Sequence, residues 1–192
     1  MRKLIYIPAW HNRIDLGVDE AVRENEGMSI FLRWGMLDKY FRKAEIYWDI
    51  VDAALDRLDI DDWARIRVFS DSVYEVSAKV KTGVRELAQE GSRHMQIVMK
   101  LLARGAKLEV TEDKKLFVGK SKQELFDTPL DKRDRAIARS INKRLKNGEI
   151  GFLILGMSHK TFQQHLNLNV SLQALLTDKD IEKFAERIKE LG

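Results

Sequence analysis

Two segments of this chain are apolar at consecutive positions, a pattern typical of strands that are covered on both faces. Residues 150–155 have the sequence IGFLIL, and residues 3–8 have the sequence KLIYIP. A strand with one face in water would instead alternate apolar and polar side chains. Sheets covered on both faces are mainly parallel, because the crossovers between parallel strands place helices on each face. The two segments therefore predict an α/β fold with a mainly parallel or mixed sheet and helices on both faces.

The rest of the sequence alternates between helical and strand patterns. Over residues 44–58 apolar side chains recur every three or four positions, which predicts an amphipathic helix. Further strands are predicted at residues 65–69, 107–110 and 168–172. Further helices are predicted at residues 29–41, at 78–89, between Ser92 and Gly105, at 133–146 and from Thr177 or Asp178 to Leu191. Residues 12–27 are predicted to form a loop with some helix, and residues 114–127 an irregular segment.

The length of 192 residues suits one domain over residues 1–192, with a helical insertion around 29–58. This insertion can form a flap or a contact between copies, so a homo-oligomer is left open. Trp34, Trp48 and Trp63 lie in or beside it, and we expect them to pack in the core. Thr128 and Pro129 are expected to open the helix that contains residues 133–146, with Thr128 as its cap and Pro129 at the first helical position. Its apolar stripe is expected to face the sheet and consists of Leu130, Ile137, Ile141 and Leu145.

The composition excludes several classes of function. The chain has no cysteine, which excludes disulfides, cysteine nucleophiles and thiolate zinc sites, and no secretory leader is visible, so we expect a cytoplasmic protein. No apolar run reaches the roughly 18 residues of a membrane span, so no membrane partner is expected. The net charge of +4 comes from interleaved signs and does not predict nucleic-acid binding. The HExxH, GxGxxG, P-loop and GxSxG motifs are absent.

Candidate functional side chains follow four of the predicted strands. His11 follows the first, Asp71 the second, Glu112 the third, and His159 the strand at residues 150–155. Ligands of open α/β sheets bind at the carboxyl ends of the strands. We therefore expect these side chains to form one site, with His11 and His159 close together at the same edge of the sheet.

These residue types are suited to two kinds of chemistry. Two neutral imidazoles with one or two carboxylates can hold a divalent metal ion with a position left for water. The same groups without a metal can perform general acid–base hydrolysis. Each residue also has a structural interpretation, since His11 can be an ordinary strand-end histidine and Asp71 and Glu112 can cap helices. His159 follows Gly156 in a predicted tight turn that presents it to solvent, and removing its side chain is expected to spare the fold.

Three other polar residues are given structural interpretations. His94 lies in the first turn of a predicted helix and His165 in a polar segment, and both are expected to be structural or solvent-facing. Asp134 also lies in a first helical turn, where a carboxylate favours the helix dipole. Its neighbour Arg133 can reach a carboxylate or an anionic substrate.

One part of the sequence suggests a family. Arg133 and Asp134 open a helix, the apolar strand at residues 152–155 follows, and the next four residues are Gly156-Met157-Ser158-His159. This run resembles the C-terminal signature of the TraB/TIKI group, in the assemblage that includes erythromycin-esterase-like and ChaN-like proteins. The group also has a GxxH after its first strand, where this chain has Pro8-Ala9-Trp10-His11 with proline in place of glycine.

The resemblance implies an α/β fold with a site built from His11, Glu112, Arg133 and His159. Members of the assemblage include a metal-dependent protease, a metal-independent esterase and a haem-binding protein, so the family does not fix the reaction.

Our first hypothesis is a hydrolase-like enzyme that acts on a small-molecule or peptide substrate. His11 and His159 bind a divalent metal or act as base, with Glu112 as metal ligand or acid–base partner. Asp71 orients a histidine, and Arg133 stabilises a developing anion. The alternative is a non-catalytic ligand-binding or regulatory module with a degenerate site, which the proline at position 8 favours.

Overall fold

The sheet is parallel throughout the described part of the chain, which confirms the predicted α/β class. The computed structural model describes residues 1–11, 29–71, 73–116, 129–159 and 161–191, with the side chains of 29–37 left out. The strands are β1 Arg2–Ala9, β2 Ile66–Ser70, β3 Lys107–Glu109, β4 Ile150–Gly156 and β5 Val170–Ala174. Their order in the sheet is β3-β2-β4-β1-β5, with every pairing parallel.

The helices of the described residues alternate with these strands. They are α1 Ser29–Asp56, α2 Ala78–Gln89, α3 Arg93–Ala103, α4 Leu130–Arg144 and α5 Asp178–Lys189. Short 3₁₀ helices lie at Trp63–Arg65, Lys114–Leu116 and Phe162–His165. Where two helices were predicted between residues 29 and 58, the structure has the single helix α1. Within the described residues, no helix combines the length and the apolar character needed to cross a bilayer.

Several predictions concern residues that the structure does not describe. The predicted loop at residues 12–27, the predicted irregular segment beyond Leu116, the cap at Thr128 and the core position of the Trp34 side chain all lie outside the described residues.

The helix ends follow from local sequence. Ser92 caps α3, because its hydroxyl accepts a hydrogen bond from the Met95 backbone N–H at 3.2 Å. Thr177 caps α5 and forms a capping box with Asp180. Gly91 and Gly105 follow helices and have φ angles of 107° and 105°, a left-handed conformation that favours glycine.

Apolar side chains pack on both faces of the sheet. One core lies between the sheet and α1, α2, α3 and α5, with Trp48 and Leu101 fully buried in it. The other core contains Ile137 and Ile141 of α4 and Phe162. The α4 stripe therefore packs on the sheet as predicted, except at its first residue. Leu130 begins the helix about two turns before Ile137, the first α4 residue in this core, and is 42% exposed.

The connections that follow β4, the middle strand of the sheet, and its two neighbours run to opposite faces of the sheet. The segments that follow its neighbours, β1 and β2, lie on the face covered by α1 and α2, whereas the segment that follows β4 places Phe162 on the opposite face. Connections that leave toward opposite faces open a crevice at the carboxyl ends of the strands. The topology therefore places a crevice at the end of β4, where Gly156 lies.

Candidate functional site

Three of the predicted site residues converge on Gly156. The position that a Cβ atom would take on Gly156 lies 3.4 Å from His11 Nε2, 3.5 Å from Asp71 Oδ2 and 3.8 Å from His159 Cδ2. These side chains follow β1, β2 and β4, which are neighbours in the sheet. The expectation that His11 and His159 lie close together at the carboxyl edge is therefore confirmed. The small space over Gly156 is the centre of the candidate site.

His159 is paired with a buried carboxylate. Its Nδ1 lies 2.6 Å from Asp134 Oδ1, and both side chains are buried. The expectation that the turn presents His159 to solvent is wrong, since the residue is only 4% exposed. The turn after β4 directs the His159 ring toward α4, where it contacts Asp134. Because Asp134 occupies Nδ1, Nε2 is the nitrogen that can act on a substrate.

Asp134 is held by a second residue after β4. Its Oδ2 accepts hydrogen bonds from the Thr161 backbone N–H at 2.7 Å and from the Thr161 hydroxyl at 2.6 Å. Burial by itself raises the pKa of Asp134. The hydrogen bonds from Thr161 and His159 outweigh this effect and hold that pKa below its ordinary value. Asp134 is therefore ionised at neutral pH and can stabilise a protonated His159.

Asp71 is fixed by the strand beside it. Its Oδ2 accepts a hydrogen bond from the Gly156 N–H at 3.2 Å, and its own N–H donates to the Ile154 carbonyl at 3.1 Å. Asp71 Oδ1 lies 3.7 Å from His94 Nε2, which is also 2.8 Å from Ser70 Oγ. His94 is buried, and its ring centroid lies 6.2 Å from that of His11. Asp71 therefore contacts the site and a second histidine, which sequence reasoning had given only a structural role.

Glu112 and Arg133 form a two-point ion pair. Arg133 donates from Nη2 to Glu112 Oε1 at 2.7 Å and from Nε to Oε2 at 3.0 Å. The backbone N–H of Glu112 donates to the Val73 carbonyl at 3.0 Å, which ties the end of β3 to the segment after β2. Burial by itself lowers the pKa of Arg133, but the negative charges of Glu112, Asp71 and Asp134 outweigh this effect. The net result is a raised pKa, so the guanidinium stays charged. Asp71 and Asp134 thus lie close enough to Arg133 to form one electrostatic unit with it.

Tyr6 of β1 lies within electrostatic reach of two site residues, Asp134 and Asp71, and no local pattern in the sequence indicated this. Burial, with the nearby charges of Asp134 and Asp71, raises the pKa of Tyr6 to about 12. The side chain packs against Phe162, with 5.4 Å between the ring centroids. A phenol with this pKa keeps its proton at neutral pH and can donate a hydrogen bond to a substrate oxygen.

The residues predicted as metal ligands, His11, Glu112 and His159, have side-chain contacts that bear on metal binding. Within the described residues, no group of three or more His, Asp or Glu side chains is arranged to hold a metal. Both carboxylate oxygens of Glu112 accept hydrogen bonds from Arg133, and these bonds would compete with metal coordination by Glu112. The set of His11, Glu112 and His159 as metal ligands stays a prediction.

The fold and the site define an α/β chain whose parallel strands bring histidines and carboxylates to a crevice at the end of the middle strand. The chain matches no protein-family model, and no curated protein or solved structure matches it either. The resemblance to the TraB/TIKI group therefore stays a prediction based on the residues quoted above.

Proposed function

We propose that this chain is a hydrolase that cleaves carbonyl substrates by general acid–base catalysis at Gly156. One observation carries the proposal. A buried Asp134–His159 pair holds the imidazole by Nδ1, and Cδ2, the ring atom bonded to the other nitrogen Nε2, lies 3.8 Å from the Cβ position of Gly156, beside His11 and Asp71. A carboxylate that orients a histidine so that its second nitrogen faces a small open space is the arrangement that general-base hydrolysis requires.

The groups act in sequence on a water molecule and an ester or amide. His159 Nε2 accepts a proton from water as the water oxygen bonds to the carbonyl carbon. Asp134 stabilises the resulting imidazolium. The same proton then passes from His159 to the leaving oxygen or nitrogen as its bond to the carbonyl carbon breaks. His11, which lies beside this space, and Tyr6, which is within electrostatic reach of Asp134 and Asp71, are the candidate donors to the oxyanion.

Two further residues position this machinery. Asp71 links the Gly156 N–H to His94 and so fixes the floor of the crevice. Arg133 is held by Glu112 and supplies positive charge that offsets Asp71 and Asp134. The roles expected from the sequence, base for His159 and anion stabiliser for Arg133, are therefore part of the proposal.

The test is a hydrolysis assay on tag-free protein with chromogenic esters, amides and peptides. We expect ester turnover by the wild type and a loss of at least about 100-fold in kcat/KM for His159→Ala, the range that general-base groups contribute. Asp134→Asn should lose a similar factor because it removes the charge beside the imidazolium. His165→Ala is the matched control, since His165 lies against Asp131 at 3.5 Å and not at Gly156.

Two results would contradict the proposal. Full ester turnover by His159→Ala would exclude it as the base. A wild type that turns over none of the substrates would favour the binding-module alternative. Repeating the assay with EDTA and with added Zn²⁺ or Mn²⁺ tests the predicted metal dependence.

A further inference from the structure

A cavity of about 250 Å³ lies beside the candidate site, at the ends of β1 and β5 and against α1 and α5. Of the described residues that line it, none is charged. They are Tyr6, Ile7, Pro8, Trp10, Tyr47, Met157, Ala174, Leu175, Leu176, Ile181 and Phe184. Small-molecule sites are mostly apolar and partly aromatic in this way.

Aromatic stacking fixes the walls of the cavity. The Trp10 ring stacks on Tyr40 and Tyr47 at centroid distances of 5.7 Å and 5.6 Å, and Phe184 meets it edge-on at 5.5 Å. The Trp10 carbonyl accepts a hydrogen bond from the Trp48 indole N–H at 2.6 Å. Rings held in this way are already arranged for a ligand, which lowers the cost of binding.

The cavity and the catalytic space share their boundary residues. Trp10 precedes His11 and Met157 follows Gly156, so each lining residue is one peptide away from the site. Tyr6 lines the cavity and also lies within electrostatic reach of Asp134 and Asp71. A substrate whose apolar part binds in the cavity can therefore extend its neighbouring atoms into the space over Gly156.

One lining residue carries an unsatisfied polar group. Tyr47 is 6% exposed, and its hydroxyl is buried without a hydrogen-bond partner among the described residues. Buried polar groups without a partner are rare and destabilising, so an oxygen of a bound ester that accepted a hydrogen bond from this hydroxyl would be stabilised.

The charge of the adjoining site restricts what can enter. Among the described residues of this site, Asp71, Glu112 and Asp134 are three carboxylates and Arg133 is the one guanidinium. The negative charge of these described groups disfavours phosphate esters and other anionic substrates.

We propose that the cavity binds the apolar acyl group of a neutral carboxylic ester, whose carbonyl carbon then lies over Gly156. This inference rests on the proposed hydrolase function and names its substrate class. A cavity of 150 Å³ accommodates benzene, so about 250 Å³ accommodates a phenylpropanoyl group or a chain of roughly eight carbons.

The first experiment measures kcat/KM for 4-nitrophenyl acetate, butanoate, hexanoate, octanoate and dodecanoate. We expect kcat/KM to rise about fourfold per methylene up to roughly eight carbons, as expected for burial of apolar surface, and to fall for dodecanoate. Ala174→Phe places a ring at the mouth of the cavity and should reduce the octanoate-to-acetate ratio at least tenfold. Gln173→Phe is the matched control, because Gln173 precedes Ala174 in β5, is also exposed and does not line the cavity.

The second experiment measures binding without turnover. The probe is 4-phenylbutan-2-one, a neutral ketone that cannot be hydrolysed, with butan-2-one as its short counterpart, both by isothermal titration calorimetry. We expect the aryl ketone to bind at least 50-fold more tightly, and Ala174→Phe to weaken it at least tenfold while Gln173→Phe does not.

The two experiments separate the two proposals. Ester turnover with no dependence on chain length, together with equal binding of the two ketones, would overturn the acyl pocket and leave the hydrolase standing. Selective binding of the aryl ketone with no turnover of any ester would overturn the hydrolase, and with it the acyl assignment of this cavity.

Discussion

Replacing Gly156 by alanine tests whether the space over this glycine is the reaction centre. The added methyl carbon would lie 3.4 Å from His11 Nε2, 3.5 Å from Asp71 Oδ2 and 3.8 Å from His159 Cδ2. These are ordinary van der Waals distances, so the methyl fits without moving its neighbours. It would, however, fill the volume in which a water molecule or a substrate carbonyl must lie.

The expected effects on stability and activity differ. Gly156 is not among the glycines with a positive φ angle, so alanine can adopt its backbone conformation. A compatible glycine-to-alanine change stabilises by about 0.4–1 kcal/mol through the unfolded chain, so the free energy of unfolding should stay constant or rise slightly. Displacing reacting atoms by about 1 Å costs roughly 100-fold in rate, and we expect kcat/KM for ester hydrolysis to fall by at least that factor.

Gly151 of the same strand provides the opposite control. A Cβ there would lie 2.8 Å from Leu4 Cδ1 and 3.3 Å from Phe69 Cε2, two side chains that are fully buried. Overpacking of this kind costs about 1–3 kcal/mol. Gly151→Ala should therefore lower the melting temperature yet retain activity per folded molecule. Full ester activity in Gly156→Ala, with its stability unchanged, would refute our assignment of the catalytic space.

Three further predictions follow from the described contacts. Ile141→Asp places an unpaired charge in the core under α4 and should abolish the folding transition in thermal melts. Leu130→Asp should change the free energy of unfolding by less than about 0.5 kcal/mol, because Leu130 is exposed. Equal effects of the two changes would show that the apolar stripe does not face the core. Because the pKa of Asp134 is lowered in the folded state, its stabilisation is present above about pH 4 and is lost as pH falls through the lowered value. The stability difference between wild type and Asp134→Asn should therefore shrink below pH 4 in urea titrations, and a difference that grows there would have the wrong sign. Glu112→Gln leaves the partly buried Arg133 without its anion and should lower the free energy of unfolding by about 1–3 kcal/mol. The loss should be smaller when Glu112→Gln is combined with Arg133→Met. Strict additivity of the two changes would show that the pair is not coupled.

The sequence predicted the sheet because its strands are covered on both faces. A run such as residues 150–155 has no polar side to turn toward water, and only a central parallel strand provides that environment. The same reasoning placed His11 and His159 at one edge, because the carboxyl ends of parallel strands coincide. It did not give the order of the strands, since β4 enters between β1 and β2 only after the chain has formed β3.

The partners of the histidines could not be predicted from local sequence. Asp134 in a first helical turn satisfies the helix dipole, so nothing nearby indicates that it contacts His159, 25 residues later. His94 occupies a first turn in the same way, and only the packing of α3 on β2 brings it to Ser70 and Asp71. The resemblance to the TraB/TIKI group implied Arg133 and His159 as site residues, but it did not imply Asp134.

The contacts of the carboxylates explain why His159 is the group that acts as base. Glu112 is neutralised by Arg133, and Asp71 accepts the Gly156 N–H. Asp134 is saturated by Thr161 and His159. The contacts of Asp134 hold its pKa below the ordinary value, so Asp134 is not suited to hold a proton during the reaction. The His159 imidazole is oriented by Asp134 through Nδ1, which leaves Nε2 as the nitrogen that can accept a proton, and Cδ2 beside it lies 3.8 Å from the Cβ position of Gly156. His159→Ala is therefore expected to lose the proton-transfer step and with it ester turnover, whereas retained turnover would show that another group is the base.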